Sequence, residues 1–427
     1  MFILIEGERN MKKTISVLAL ASVFAAGSAF ASGFRIPEQS IDSVSKAGAN
    51  VSSADHADAT YFNPANMSWI DNAWQVEADL DYIHLSSIKY TDTVPARSGS
   101  SREENFFAPT IFMVSPDFNN FRFGFSITEP FGLAKRWDDA YPKAYAQQFD
   151  LKVYEFNPTV SYKINTIFSV AGGIRFLHST AAVSSDASGI ATAALSRHLE
   201  GDANAWGYNL AVSARPNNKS NISVTYRSEV DLDFEGDTIL HNNAYGPYVA
   251  ATTYTKGKVT VVTPAVLAIS GAYKFFDKLT VELTWDRTFW SQYKNLDFDF
   301  STNPLPPLQR SFEDPLKRNW KDSNAYRLGL AYEATPIITL MAGFAYDESP
   351  APSTTLGFEL PDSNAYLFSL GARFKVTPKM DLGLGLLYDL KSERTVNNLN
   401  NSYGGHVNGK FTDASALLVS AGLTYKF

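Results

Sequence analysis

The sequence predicts an all-β fold: a fourteen-stranded antiparallel transmembrane outer-membrane β-barrel, preceded by an N-terminal segment that is a candidate hatch (plug). Three observations predict it. Period-two alternation recurs from residue 74 to the carboxy terminus, short connections alternate with long ones, and no run of eighteen apolar residues follows residue 31. The last point excludes a spanning helix, which needs about 20 apolar residues. A barrel strand needs only about 9–11 residues and alternates greasy and wet faces.

The final strand is the clearest. Phe427, Tyr425, Leu423, Ala421, Val419 and Leu417 share one parity, and Lys426, Thr424, Gly422 and Ser420 share the other. Successive side chains of a strand point to opposite faces, so one face is apolar and the other polar or small. The terminal aromatic pair suits an interfacial girdle. The strand ending at Phe427 is also the expected handle for the barrel assembly machinery.

At the other end, Met11-Lys12-Lys13 is a short basic region, 15–26 is apolar, and Ala29-Phe30-Ala31 fits a small-x-small cleavage site. Residues 1–31 are therefore expected to be a signal peptide with Met11 as the true start, leaving a chain that begins at Ser32 in the outer membrane of a Gram-negative bacterium. The chain has no cysteine, which excludes disulfide scaffolds and thiolate metal sites. A net charge of −7 provides no basic footprint for nucleic acid.

Residues 32–72 are rich in Ala, Ser, Asn and Asp and lack alternation, whereas 73–427 reads as barrel. In the first strand Trp74, Val76, Ala78, Leu80 and Tyr82 oppose Gln75, Glu77, Asp79 and Asp81. Acidic side chains cannot face lipid, so their face must be a wet or filled lumen. The expected strands are 74–90, 105–115, 121–128, 150–163, 167–182, 201–215, 220–236, 256–274, 278–294, 320–334, 337–348, 364–374, 379–392 and 413–427. Long links near 91–104, 129–149, 183–200, 237–255, 295–319, 349–363 and 393–412 alternate with short ones, as in a barrel with both termini on the periplasmic side. The pattern alone leaves 32–72 open between a plug and a periplasmic tail.

Ser32-Gly33-Phe34, then Asn63-Pro64-Ala65, resemble the amino-terminal hatch of the FadL family of long-chain fatty acid outer-membrane transporters. Gly207-Tyr208-Asn209-Leu210, Thr225-Tyr226-Arg227-Ser228-Glu229-Val230, Trp290-Ser291-Gln292 and Trp320-Lys321-Asp322 are similar to later blocks of that family in the same order. So is the stretch from Gly343-Phe344-Ala345-Tyr346-Asp347 to Leu360-Pro361-Asp362. The resemblance implies a hatch-plugged barrel that admits long-chain fatty acids passively and releases them sideways through a kinked third strand. A branch of the family implies neutral hydrophobic cargo, such as aromatic hydrocarbons, as the alternative.

It also implies site residues. Gly33, Phe34, Asn63, Pro64 and Ala65 would belong to the hatch, with Asn63 and Pro64 against a kink at Gly124, because glycine loosens strand pairing. The loop 129–149, with Phe131, Leu133 and Trp137, resembles the outer loop that captures ligand. Lys321 matches the family's carboxylate-binding lysine. The family's second cation, on the fifth strand, falls on Thr180, with His178 and Arg175 nearby and His178 a candidate substitute.

No cofactor or metal is expected, and the partners expected are a hydrophobic small molecule and outer-membrane lipid. An enzyme is disfavoured: six histidines are scattered, and no G-x-S-x-G elbow occurs. Asp55-His56-Ala57-Asp58 could be a metal or triad fragment but reads better as a polar turn, since a site needs convergent partners. A general porin is disfavoured because open aqueous channels use wider barrels, of about sixteen to eighteen strands.

Overall fold

Every strand of an alternating set must find two neighbours, and the computed structural model shows how they do so. It describes residues 33–190, 195–242, 250–302, 315–399 and 406–427; the expected signal peptide and Ser32 lie outside them. The staves are β1 (Gln75–Leu85), β2 (Glu104–Val114), β3 (Phe121–Arg136), β4 (Gln148–Lys163), β5 (Phe168–Asp186), β6 (Leu195–Asn217) and β7 (Ser220–Arg227 and Val230–Asn242). They continue as β8 (Ala251–Thr263 and Val266–Phe275), β9 (Leu279–Thr288), β10 (Ser323–Thr335), β11 (Ile338–Asp347), β12 (Ala365–Thr377), β13 (Met380–Lys391) and β14 (Ser415–Lys426). All fourteen are antiparallel, and β14 returns to pair with β1 from Gln75↔Lys426 to Leu85↔Ala416, closing the barrel.

The alternation sorts as expected. On β13, Leu382, Leu384, Leu386, Tyr388 and Leu390 are exposed to the membrane side, while Asp381 and Asp389 are buried in the lumen. On β1, Gln75, Glu77, Asp79 and Asp81 all point inward. Exposed apolar side chains would be a liability in water, but here they form the lipid-facing band.

Several boundaries move. Strands β5 to β8 and β12 are longer than the pattern indicated, so residues 237–242 and 251–255 of an expected loop are strand, whereas the ninth stave ends early at Thr288. The largest change is β3, which runs to Arg136 instead of ending near 128. The outer loop shrinks to 137–147 around a short helix, Ala140–Ala146. Pro130 and Gly132 read as loop punctuation, but β3 keeps its pairing with β4 past both of them.

The segment from Gly33 to the start of β1 folds inside the barrel and is almost wholly buried. It contains α1 (Ile41–Ser45), α2 (Ala59–Phe62) and a 3-10 turn at Pro64–Trp69. Helix α1 packs on the inner wall of β11–β14. Glycines make the room: Gly329 pairs with Gly343, and Gly371 with Gly385. A methyl at Gly371 would collide with Ser45 Oγ, and one at Gly343 would collide with the carbonyl carbon of Lys46.

Candidate functional site

Strands β2 and β3 should pair along their length, but they share four pairs only, from Val114↔Gly124 to Ile111↔Ile127. Above Ile127 the two edges part. On β3, Thr128 and Phe131 face the same side opposite Glu155 and Val153 of β4, a three-residue step against a two-residue one. Such a bulge bends its strand. Residues 130–135 are consequently buried on both faces, because the upper half of β3 has swung into the barrel. Pro109 and Pro130 stand on the two parted edges and offer no N–H.

The gap is bounded above. Arg102 donates its backbone N–H to Arg136 O at 2.8 Å, and Arg136 bridges Glu104 at 2.7 Å and Asp150 at 2.6 Å. The result is a closed window in the wall, with Ile111↔Ile127 as its sill.

The amino terminus covers the inner side of this window. Ile36 N–H donates to Pro130 O at 2.8 Å, and Gly132 N–H donates to Phe34 O at 2.9 Å. The Gln39 amide completes the arrangement: its Oε1 accepts from Glu129 N–H at 2.8 Å and its Nε2 donates to Glu129 O at 2.9 Å. One hatch side chain therefore satisfies backbone groups that the bulge removes from the sheet, which buried peptide groups require.

Phe34 fills an aromatic box. Its ring lies 4.7 Å from Trp290, 5.9 Å from Tyr293, 5.9 Å from Trp320 and 6.1 Å from Phe131. Gly33 precedes it at φ +70°, and a Cβ there would stand 2.6 Å from Trp320. Glycine is thus required by both conformation and space. The indole N–H of Trp290 is buried with no acceptor among the described residues, leaving a donor open to a ligand's polar atom.

The site residues expected from sequence divide into two groups. Phe34, Phe131 and Leu133 belong to the continuous apolar core behind the window, and the Trp137 indole donates to Phe358 O at 2.8 Å beneath the outer loops. Phe131 and Leu133 belong to strand β3, not to a loop.

The others sit elsewhere. Lys321 is exposed, and its backbone N–H is engaged with Pro350 O at 2.9 Å. The buried cation of that region is Arg318, bonded to Glu359 and two residues before Trp320. His178 and Thr180 fall on the outward parity of β5, where His178 meets Asn204. Arg175, three residues from His178, points inward and is held by Glu155 at 2.8 Å. A one-residue offset reverses the face of a strand side chain, which is why placement by short turns fails here.

Gly124 keeps its partners on both sides, Val114 and Thr159, so the kink lies five residues later, at Glu129-Pro130. What Gly124 provides is room, since a Cβ would lie 2.5 Å from Thr60 and 2.6 Å from Met67 of the hatch. Asn63 is not against the kink. Its amide donates to Val51 O, Ser213 Oγ and Ser223 Oγ, seating the lower hatch on β6 and β7, while Ala65 O accepts from Ser169 of β5. Pro64 opens the adjoining 3-10 turn.

Charged groups fix the rest of the hatch. Glu282 accepts three successive backbone N–H groups, from Val51, Ser52 and Ser53, at 2.7–2.9 Å. Arg327 bridges Asp286 and Asp347 and reaches Glu38 at 3.5 Å. Arg373 joins Asp42 of the hatch to Glu77 of β1 and Thr424 of β14.

Asp42, Asp55 and His56 bring ligand atoms within 4.8 Å of one another, the one such group among the described residues. Asp42 is already bound to Arg373. Burial and Arg373 oppose charge on His56, but Asp55 and Asp42 outweigh them and push its pKa up to about 10. With His56 at 2.8 Å from Asp55 and 3.6 Å from Asp42, the cluster is joined through Arg373 into an ion-pair network.

Residues 22–427 match the model of the family described as outer membrane protein transport protein (OMPP1/FadL/TodX). The chain belongs to this family. It is 26% identical to outer membrane protein P1 of Haemophilus influenzae over 420 residues, covering 87% of this chain and 89% of that protein. It is 25% identical to the long-chain fatty acid transport protein of Escherichia coli K12 over 418 residues, covering 88% and 91%. The crystal structure of a Pseudomonas aeruginosa FadL homologue superposes with a TM-score of 0.82 at 20% identity, covering 93% of this chain and all of that one. As a FadL/TodX-family protein, the chain is an outer-membrane transporter of hydrophobic compounds and not an enzyme.

Proposed function

We propose that this transporter takes up long-chain fatty acids by passive diffusion, capturing them under the extracellular loops and releasing them sideways through the β2–β3 window. The observation that carries the reading is the window itself, lined behind by a buried apolar core and covered on its inner side by the chain's own amino terminus.

A ligand tail would take the place of Phe34 in the aromatic box, where each buried methylene is worth about 0.8 kcal/mol against water. Departure of Phe34 would draw residues 34–36 off β3, because ring and backbone belong to one short segment. The lower hatch stays seated, held by Glu282, Arg327 and Arg373.

Outer-membrane lipid then receives the cargo. The relatives named as long-chain fatty acid transport proteins support the carboxylate over a neutral hydrocarbon. The segmentation into signal peptide 1–31, hatch 32–72 and barrel 73–427, and delivery to the barrel assembly machinery through the strand ending at Phe427, belong to the same reading.

The test is uptake of labelled oleate and labelled toluene by cells lacking their own transporter, with and without this protein. Saturable uptake of oleate is expected. Uptake of toluene alone would replace the fatty acid reading with the neutral-hydrocarbon one.

A further inference from the structure

The cations near the aromatic box are matched, so the carboxylate of a fatty acid must find its partner elsewhere. Arg318 is bonded to Glu359, and Arg175 to Glu155. One buried ammonium differs. Lys135, on the inner face of β3, is about 1% exposed, and its one hydrogen bond among the described residues is to Ser101 Oγ at 3.3 Å. Among the same residues no carboxylate lies within ion-pairing distance of it. Glu104, the acid whose charge acts on it, is bonded to Arg136. Lys391, close by, is paired with Asp362 at 2.8 Å.

Lys135 and Lys391 line a small cavity of about 10 Å³, whose other walls include Leu85, Ile88, Leu360 and Pro361. That is room for about one water-sized group, such as one oxygen of a carboxylate. Its place in the fold is informative. Leu85 of β1 is in register with Glu104 of β2, and Glu104 is the anchor of the upper end of the window. The cavity therefore lies just inside the top of the gap. From there Ile83 on β1 and Phe106 and Ala108 on β2 carry a buried apolar surface downward along the parted edge.

We propose that Lys135 is the carboxylate site of this transporter, binding the head group of a long-chain carboxylate at the upper inner corner of the window while the tail lies along Ile83, Phe106 and Ala108. The inference rests on the fatty acid reading of the transporter. A buried ammonium without an acidic partner is unfavourable by itself, and an arriving carboxylate supplies the missing partner through a charge-assisted hydrogen bond. The placement also gives the exit a direction. The head group is held at the extracellular end, and the tail faces the opening into the bilayer.

The test compares initial uptake of labelled oleate with that of its neutral methyl ester, by cells carrying the full-length wild type, Lys135→Gln, Lys135→Arg or Ser101→Asp. Lys135→Gln is expected to raise the half-saturating oleate concentration roughly tenfold, the scale of one hydrogen bond to a charged group. Methyl oleate uptake stays at the wild-type level, and Lys135→Arg retains most oleate uptake. Ser101→Asp places an internal carboxylate at the cation's one partner, so it keeps the buried charge compensated even if Lys135→Gln does not assemble. It is expected to raise the oleate value similarly. Unchanged oleate uptake in both charge variants, or equal loss of oleate and ester, would overturn the site and leave the fatty acid reading standing. Absence of oleate uptake by the wild type overturns that reading, and the site with it.

Discussion

Two seams of this barrel teach different lessons. Between β1 and β14 the ladder runs through eleven consecutive pairs, from Gln75↔Lys426 to Leu85↔Ala416. Between β2 and β3 it stops after four. Pro109 and Pro130 stand on the open edges and offer no N–H, whereas neither strand of the closing seam contains a proline. The difference lies in who supplies partners for the backbone. At the closing seam each strand serves the other, and Arg373 staples both to the hatch through Glu77, Thr424 and Asp42. At the open seam one extra residue in β3 removes it from β2, and the hatch serves its inner edge through Phe34, Ile36 and Gln39. A barrel wall can therefore be opened without stranding peptide groups, provided something inside replaces the lost strand.

The strongest way to break the comparison is to remove the extra residue. Deleting Pro130 should restore a regular two-residue step opposite β4 and let β3 lie against β2 again. Uptake of labelled oleate is then expected to fall to that of cells without the protein, while the barrel still assembles and keeps its heat-dependent electrophoretic shift. Persistent uptake would show that the window is not the exit.

At the closed seam, Arg373→Met would leave Asp42 and Glu77 buried without their shared cation. Loss of one partner of a buried ionic group costs about 3–5 kcal/mol, measured as a shift of the denaturant midpoint in lipid vesicles. An unchanged midpoint would mean that the staple contributes nothing to this seam.

A smaller effect is expected at the open seam. Gln39→Ala leaves the N–H and C=O of Glu129 without partners, a loss of about 1–3 kcal/mol. Amide exchange at Glu129 should accelerate while the amides of β14 hold their protection. Equal protection in variant and wild type would rule out the capping role.

Much of the architecture was legible because a strand carries its own period. The strand number and the inward acids of β1 follow from alternation, and the alternating link lengths follow from turns that read locally. The site was less legible. Glu129-Pro130 looks like the start of a loop, since proline and glycine punctuate chains, and only the observed pairing with β4 and the amino terminus shows it to be strand. Lys321 came from position within a motif, whereas Arg318 and Lys135 lie in stretches with no motif. The nearest signal was Trp320, which marks the aromatic box that Arg318 adjoins.

The sequence by itself determined an alternating chain that must close into a barrel, because inward acids and outward leucines leave no other arrangement in a membrane. It also determined that the segment ahead of β1 could not be a strand. Only the tertiary structure decided where the wall stays open, which cations meet carboxylates, and that Gly371 and Gly385 exist to admit the hatch. The physical reason is range. Alternation is a contact between a side chain and its own backbone, whereas a bulge, a capped edge or an unpaired lysine is defined by what stands opposite it, often hundreds of residues away.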